Sequence, residues 1–124
     1  MRCRGIRGAT TVETNTREEI LSATRELLQK LVEANELVLD DVASAYFTTT
    51  ADINAEFPAI AARQLGWSQV PLLCGHEMRV PDSLDHCIRV LLHVNTEKKA
   101  SEIAHIYLKG AIGLRDPSKV PPIG

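Results

Sequence analysis

The run Cys87-Ile88-Arg89-Val90-Leu91-Leu92-His93-Val94 constrains the fold of this chain more than any other stretch. β-Branched and apolar residues occupy both of its alternating sets, so it predicts a strand covered on both faces. One guanidinium interrupts it. An arginine keeps its charge and is rarely buried without a partner. Arg89 therefore either reaches solvent at the strand end, which is the commoner outcome on chemistry alone, or lines a cavity in which something anionic meets it.

The remaining elements can be placed around this strand. Residues 2 to 12 read as a strand carrying Gly5 and Gly8, which bracket Ile6-Arg7. Glycine in a strand marks a bulge or a close approach of backbone or ligand. Arg7 thus sits either beside an open backbone or, with Arg4, in solvent on a bulged edge strand. Thr16-Arg17-Glu18-Glu19 has the form of a capping box, with Thr16 as N-cap and Glu19 bonding back to it. The stripe Ile20, Ala23, Leu27, Leu31 and Ala34 that follows predicts a core-facing helix to about Asn35.

Val42 to Thr50 alternate small, aromatic and hydroxyl side chains in a second strand. Pro58 suits a first helical turn, Ala59 to Leu65 continue it with Arg63 on its surface, and Gly66 closes it. A third strand, Val70 to Cys74, is interrupted by Pro71 and ends at Gly75, with Glu77 at its exit. Ser101 to Ala104 form one helical turn, His105 to Leu108 a last short strand, and Ala111 to Arg115 lead into a proline-rich tail. The expected fold class is α+β: a mixed five-stranded sheet with one long helix on a face. A chain of 124 residues holds one core. The domain is set at 1–115 and the tail, mobile or ordered only over a ligand, at 116–124.

Several function classes fall away. With 14 Lys+Arg against 16 Asp+Glu, the net charge of -2 offers no footprint for nucleic acid or an acidic membrane surface. Any bound anion must be held by a local arginine cluster. Cys3, Cys74 and Cys87 are odd in number and have no metal-knuckle spacing, which argues for free thiols in a reducing, cytoplasmic compartment. The amino terminus leads into no apolar h-region, and no apolar run approaches membrane-spanning length. A cysteine hydrolase would need a base placed on Cys74, and His76, His86, His93 and His105 are scattered. No histidine pair has i, i+4 spacing, so a zinc site is not expected.

One resemblance runs through nearly the whole chain. Arg4-Gly5-Ile6-Arg7-Gly8-Ala9-Thr10-Thr11-Val12, Phe57-Pro58-Ala59, Ala61, Arg63, Val70-Pro71, Cys74, Glu77-Met78, Cys87-Ile88-Arg89-Val90, Tyr107-Leu108 and Leu114-Arg115 resemble the small monofunctional chorismate mutases of the AroH class. The resemblance implies a cofactor-free [3,3] Claisen rearrangement of chorismate to prephenate, on the route to phenylalanine and tyrosine. No proton transfer, nucleophile or metal is needed. By the family pattern, Arg7 and Tyr107 hold the enolpyruvyl carboxylate, and Arg89 donates to the ether oxygen as it gathers negative charge. Glu77 and the Cys74 segment meet the ring hydroxyl, with Leu73, Cys74, Gly75, His76 and Glu77 lining that wall. Phe57 and Leu114 shape the apolar walls. Arg63 and Arg115 attract the ring carboxylate at the mouth, which the tail partly covers.

The same resemblance implies a homotrimeric pseudo-α/β-barrel with active sites between subunits. A strand too apolar for one solvated face suits such burial. The chain departs from some members at Ile60, where they carry lysine, at Leu73, where they carry threonine, and around Gly66-Trp67, where it is a residue shorter. Two rivals stand beside the enzyme. One is a non-catalytic trimeric binder of small carboxylates with similar architecture, expected to have lost Arg89 or Glu77; the other is an interaction domain with solvated arginines.

Overall fold

A computed structural model describes residues 1–115 and 120–123, with the side chain of Arg115 outside the description. The strands are β1 (Arg2–Thr11), β2 (Val42–Thr49), β3 (Leu72–His76), β4 (Cys87–Thr96) and β5 (Ile106–Tyr107); the helices are α1 (Arg17–Asn35) and α2 (Ala59–Gln64). They form one sheet in the order β3-β2-β4-β1-β5. β4 pairs antiparallel with both β1 and β2, whereas β1/β5 and β2/β3 are parallel, so the sheet is mixed. The expected α+β architecture with one long helix is the one observed.

The strand Cys87–Val94 lies at the centre of this sheet, paired on both edges. Of its two faces only the one carrying Ile88, Val90, Leu92 and Val94 is fully buried, while Arg89, Leu91 and His93 on the other are partly exposed. On one face Ile88, Val90, Leu92 and Val94 are buried together with Ile6, Ala45 and Phe47. α1 covers that face through Leu27, Leu28 and Leu31, all fully buried. Gly8 lets the helix approach. A Cβ there would lie 2.8 Å from Leu31 Cδ1 and 3.1 Å from Leu27 Cδ1, inside normal contact. The close approach expected near Arg7 is therefore helix on strand. β1 is neither bulged nor an edge: its ladder to β4 runs unbroken from Arg2 to Thr11 with β5 on its other side, and the register irregularity lies in β2, between Val42 and Ser44.

Thr16 caps α1, accepting from the Glu19 amide at 3.3 Å. Glu19 does not close the box on Thr16. Its carboxylate instead accepts from the Glu13 and Thr14 amides and the Thr14 hydroxyl, and these bonds hold its pKa below the usual range. The chain thus enters the helix by a turn pinned one step earlier. The helix ends where expected, with Glu36 in the left-handed region at φ 53°. Asn35 then ties this end to the site side: its amide donates to Ala104 O and accepts from Ala104 N, both at 2.8 Å, fixing the segment that leads into β5.

Other boundaries shift. β3 starts after Pro71 and passes through Gly75 to His76. Gly75 does not end the strand; a Cβ there would lie 2.5 Å from the Tyr46 hydroxyl, so the missing side chain makes room for Tyr46. β4 continues to Thr96, Ala100–Glu102 form a 3-10 turn, and β5 shrinks to two residues. Lys109–Arg115 are not a lead-in but a 3-10 helix. The tail expectation concerns residues of which 116–119 and 124 lie outside the described part; Val120 and Ile123 are exposed.

Candidate active site

Strand alternation places Arg7, Ala9, Tyr46, Thr48, Arg89, Leu91 and Tyr107 on the sheet face away from α1. The registers do the rest. Arg89 is opposite Ala9 on one side and Thr48 on the other, while Tyr107 is beside Ala9. The result is a cavity of about 250 Å³ lined by Arg7, Ala9, Tyr46, Thr48, Arg89, Leu91, Tyr107 and Leu114. Its small floor residue, Ala9, is what leaves room between the arginines.

Glu77 enters from β3. Its amide donates to Thr49 O at 2.9 Å, extending the pairing past His76 and turning its side chain toward Thr48 and Arg89. Oε2 accepts from the Thr48 hydroxyl at 2.6 Å and lies 3.0 Å from Arg89 Nε. The Glu77 side chain is 16% exposed and the Arg89 side chain 41%. Arg89 Nε is itself buried, and its N–H is not aligned on the carboxylate, so it makes no hydrogen bond among the described residues. The contact with Glu77 is thus an ion pair that leaves a directed donor unused. A buried N–H without an aligned acceptor calls for an explanation, and a catalytic role is one of those such groups have.

The supporting shell is apolar on one side. Cys87 is fully buried two residues before Arg89, among Ala9, Ala111, Leu84, Tyr107 and Leu114. Burial pushes its thiol up to about 11, and the neighbouring Arg89 charge offsets that only in part. Cys87 is a packed neutral thiol, with no nucleophilic character. On the other side, the Arg7 amide donates to His105 Nδ1 at 3.0 Å, which fixes Arg7 relative to β5 and Tyr107.

The remaining expected residues lie elsewhere. Phe57, Cys74, Gly75 and His76 line a second cavity, of about 300 Å³, together with Thr49, Ile53 and Glu56. Cys74 and His76 point to the α1 side of the sheet, so this half lies across the β3 edge from Arg89. Burial raises the Cys74 pKa against the Ala59 amide and the Arg63 charge, which puts exposed Arg63 within electrostatic reach of that wall. Leu73 is on the Arg89 face but 62% exposed, beside Tyr46. Within one chain, therefore, Arg7, Glu77, Arg89, Tyr107 and Leu114 come together, and Phe57, Arg63, Cys74 and His76 do not join them. Arg115 falls outside the described side chains.

Thr48, Tyr46 and Leu91 were not anticipated. The alternation of β2 carries Tyr46 and Thr48 on one face, but only pairing with β4 shows that the face is Arg89's. Away from the site, the ligand atoms of Asp52, Asp85 and His86 lie within 4.8 Å of one another. Partial burial works to raise the Asp52 pKa, but the Thr50 hydroxyl and the His86 amide outweigh it, and the carboxylate is held below the usual range. Those bonds make Asp52 the clasp of the turn that starts β4. No helix among the described residues is long and apolar enough to cross a membrane.

Comparison with known proteins bears directly on this geometry. The family model described as chorismate mutase type I matches residues 3–117. The chain is 47% identical over 116 residues to the chorismate mutase AroH of Bacillus subtilis (strain 168), spanning 93% of this chain and 91% of that protein. It is 50% identical over 113 residues to the chorismate mutase AroH of Thermus thermophilus, spanning 90% and 93% of the two. Among solved structures, a chorismate mutase from Clostridium thermocellum superposes with a TM-score of 0.86 at 52% identity, covering 87% of this chain and 96% of that one.

Proposed function

The chain belongs to the type I chorismate mutases, and from that membership we propose how its own residues carry out the conversion of chorismate to prephenate. Chorismate is a dicarboxylate whose reacting carbon ends must be folded onto each other. Holding that conformer removes an entropic part of the barrier. Arg7 and Tyr107 are assigned to the enolpyruvyl carboxylate, since a guanidinium makes charge-assisted contacts with a planar anion. Arg89 is assigned to the ether oxygen, which becomes negative only as the C–O bond breaks. Glu77 is assigned to the ring hydroxyl, and Leu114 with Phe57 to the apolar walls. The observation that carries this reading is the buried, unbonded Nε of Arg89 at a cavity also lined by Arg7 and Tyr107. A preorganised donor aimed at developing charge is the largest single effect available to a reaction without acid, base or nucleophile.

The assembly is part of the proposal. β3 is an edge strand, and Phe57, Leu73, Met78 and Val80 beside it are 66%, 62%, 86% and 55% exposed. So much apolar surface at an unpaired edge favours coverage by another copy. In a closed homotrimer the wall of Phe57, Arg63 and Cys74 from one subunit would face the Arg89 cavity of the next, and the two half-sites would complete each other. Arg63, with Arg115, would then meet the ring carboxylate at the mouth. Residues 1–115 form the catalytic domain on this reading, and three free cysteines accord with a cytoplasmic location.

The purified chain is expected to abolish chorismate absorbance without added cofactor and at an unchanged rate in excess chelator. A folded chain that binds dicarboxylates but leaves chorismate unconverted would instead establish the carboxylate-binding alternative. Sedimentation equilibrium should give three times the 13.6 kDa chain mass. A monomer at working concentration with full activity would remove the shared-site arrangement.

A further inference from the structure

We propose that Thr48 is a positioning residue that divides the work of the Glu77 carboxylate between its two oxygens. The inference rests on the assignment of Glu77 to the ring hydroxyl and adds the group that makes it possible. Both contacts of the carboxylate fall on one atom. Oε2 accepts the Thr48 hydroxyl at 2.6 Å and lies 3.0 Å from Arg89 Nε, while Oε1 has no hydrogen bond among the described residues. A carboxylate held only by an ion pair can rotate about its last torsion and present either oxygen. A short, charge-assisted O–H···O bond to a strand residue removes that freedom.

The strand makes the anchor stiff. Thr48 sits in β2 directly opposite Arg89 and is β-branched, so its rotamer choice is narrow. The Thr48 hydroxyl, the Glu77 carboxylate and the Arg89 guanidinium then form a row across two adjacent strands. Thr48 acts on Arg89 as well. By fixing where Oε2 lies, it keeps the ion pair off the line of the Nε–H, so that this donor stays available rather than being captured by Glu77. Without the hydroxyl, Oε2 is free to swing onto the Nε–H, and the site would lose an acceptor for the ring hydroxyl and a donor for the ether oxygen together.

The test is a pair of Thr48 variants examined alone and over Glu77→Gln, with steady-state chorismate kinetics and thermal melts on the assembled protein. Thr48→Val keeps the shape and removes the hydroxyl; it is expected to lower kcat/KM roughly 10- to 100-fold, the range of a hydrogen bond to a charged group. Thr48→Ser restores the bond and should remain within about threefold of the parent. Over Glu77→Gln, the further loss on Thr48→Val should shrink to about twofold or less, because Thr48 acts through the carboxylate. A purely structural role predicts instead the same fold-loss in both backgrounds, tracking the melting temperature, and that outcome overturns the proposal, as does a Thr48→Val enzyme with parental kcat/KM. The wider reading fails separately: if the parent is active and Glu77→Gln leaves kcat/KM untouched, it is the assignment of Glu77 to substrate that is wrong.

Discussion

Arg89→Lys is expected to lower kcat by about two to three orders of magnitude, equivalent to ~3–4 kcal/mol of transition-state stabilisation, while leaving the fold and the oligomer intact. The substitution keeps the charge and loses the geometry. The guanidinium of Arg89 presents its Nε–H from the central strand, 3.0 Å from Glu77 Oε2, in a cavity that Tyr107 and Leu114 also line. A lysine ammonium is a compact point charge on a flexible stem, free to collapse onto the Glu77 carboxylate. It would still attract a dianionic substrate, so the loss should fall on kcat far more than on KM, as expected when an interaction forms only in the transition state. Turnover within a few-fold of the parent would sink the role assigned to Arg89. A loss confined to KM would recast it as a ground-state anion clamp.

Phe47→Ala addresses the scaffold behind that donor. Phe47 is fully buried on the α1 face, opposite Val90 of β4 and Cys74 of β3. Truncating a buried phenylalanine removes its transfer free energy and leaves a cavity, a combined cost of about 3–5 kcal/mol. For a domain of this size that corresponds to a fall in melting temperature of roughly 10–20 °C, measured at matched protein concentration because assembly shifts apparent stability. The flanking residues Tyr46 and Thr48 line the Arg89 cavity, so activity per folded molecule should fall as well. A melting temperature within about 3 °C of the parent would mean that the core closes over the gap, with Phe47 no keystone of the sheet.

The legibility of the fold differed from element to element for identifiable reasons. α1 could be read end to end, because its cap, its apolar stripe and its termination are encoded within the segment. The apolar run of β4 could be read as a strand, with Ile88, Val90, Leu92 and Val94 on a buried face; the set that carries Arg89, Leu91 and His93 is only partly buried within one chain. Gly75 misled: in isolation a glycine after a strand looks like a stop, and its actual function is to clear the Tyr46 ring from the neighbouring strand. Glu19 misled in a similar way. A capping box is a pattern of spacing, and the competing Glu13 and Thr14 amides that win the carboxylate are placed by the turn rather than by the pattern.

The candidate site divides along the same line. Which residue types are present, down to the arginines at 7, 63 and 89, the carboxylate at 77 and the tyrosine at 107, was determined by the sequence alone, and so was the family to which they point. What only the tertiary structure decided is who meets whom. Strand register is set by packing across a sheet and shifts every side chain to the other face if it slips by one residue. That register puts Thr48 opposite Arg89, brings Glu77 between them, and sends Cys74 and His76 to the far side of β3. Arg89, ambiguous as a charge in an apolar strand, thereby becomes a residue with a buried Nε–H whose carboxylate partner, Glu77, is anchored by a neighbour and leaves that N–H without an aligned acceptor.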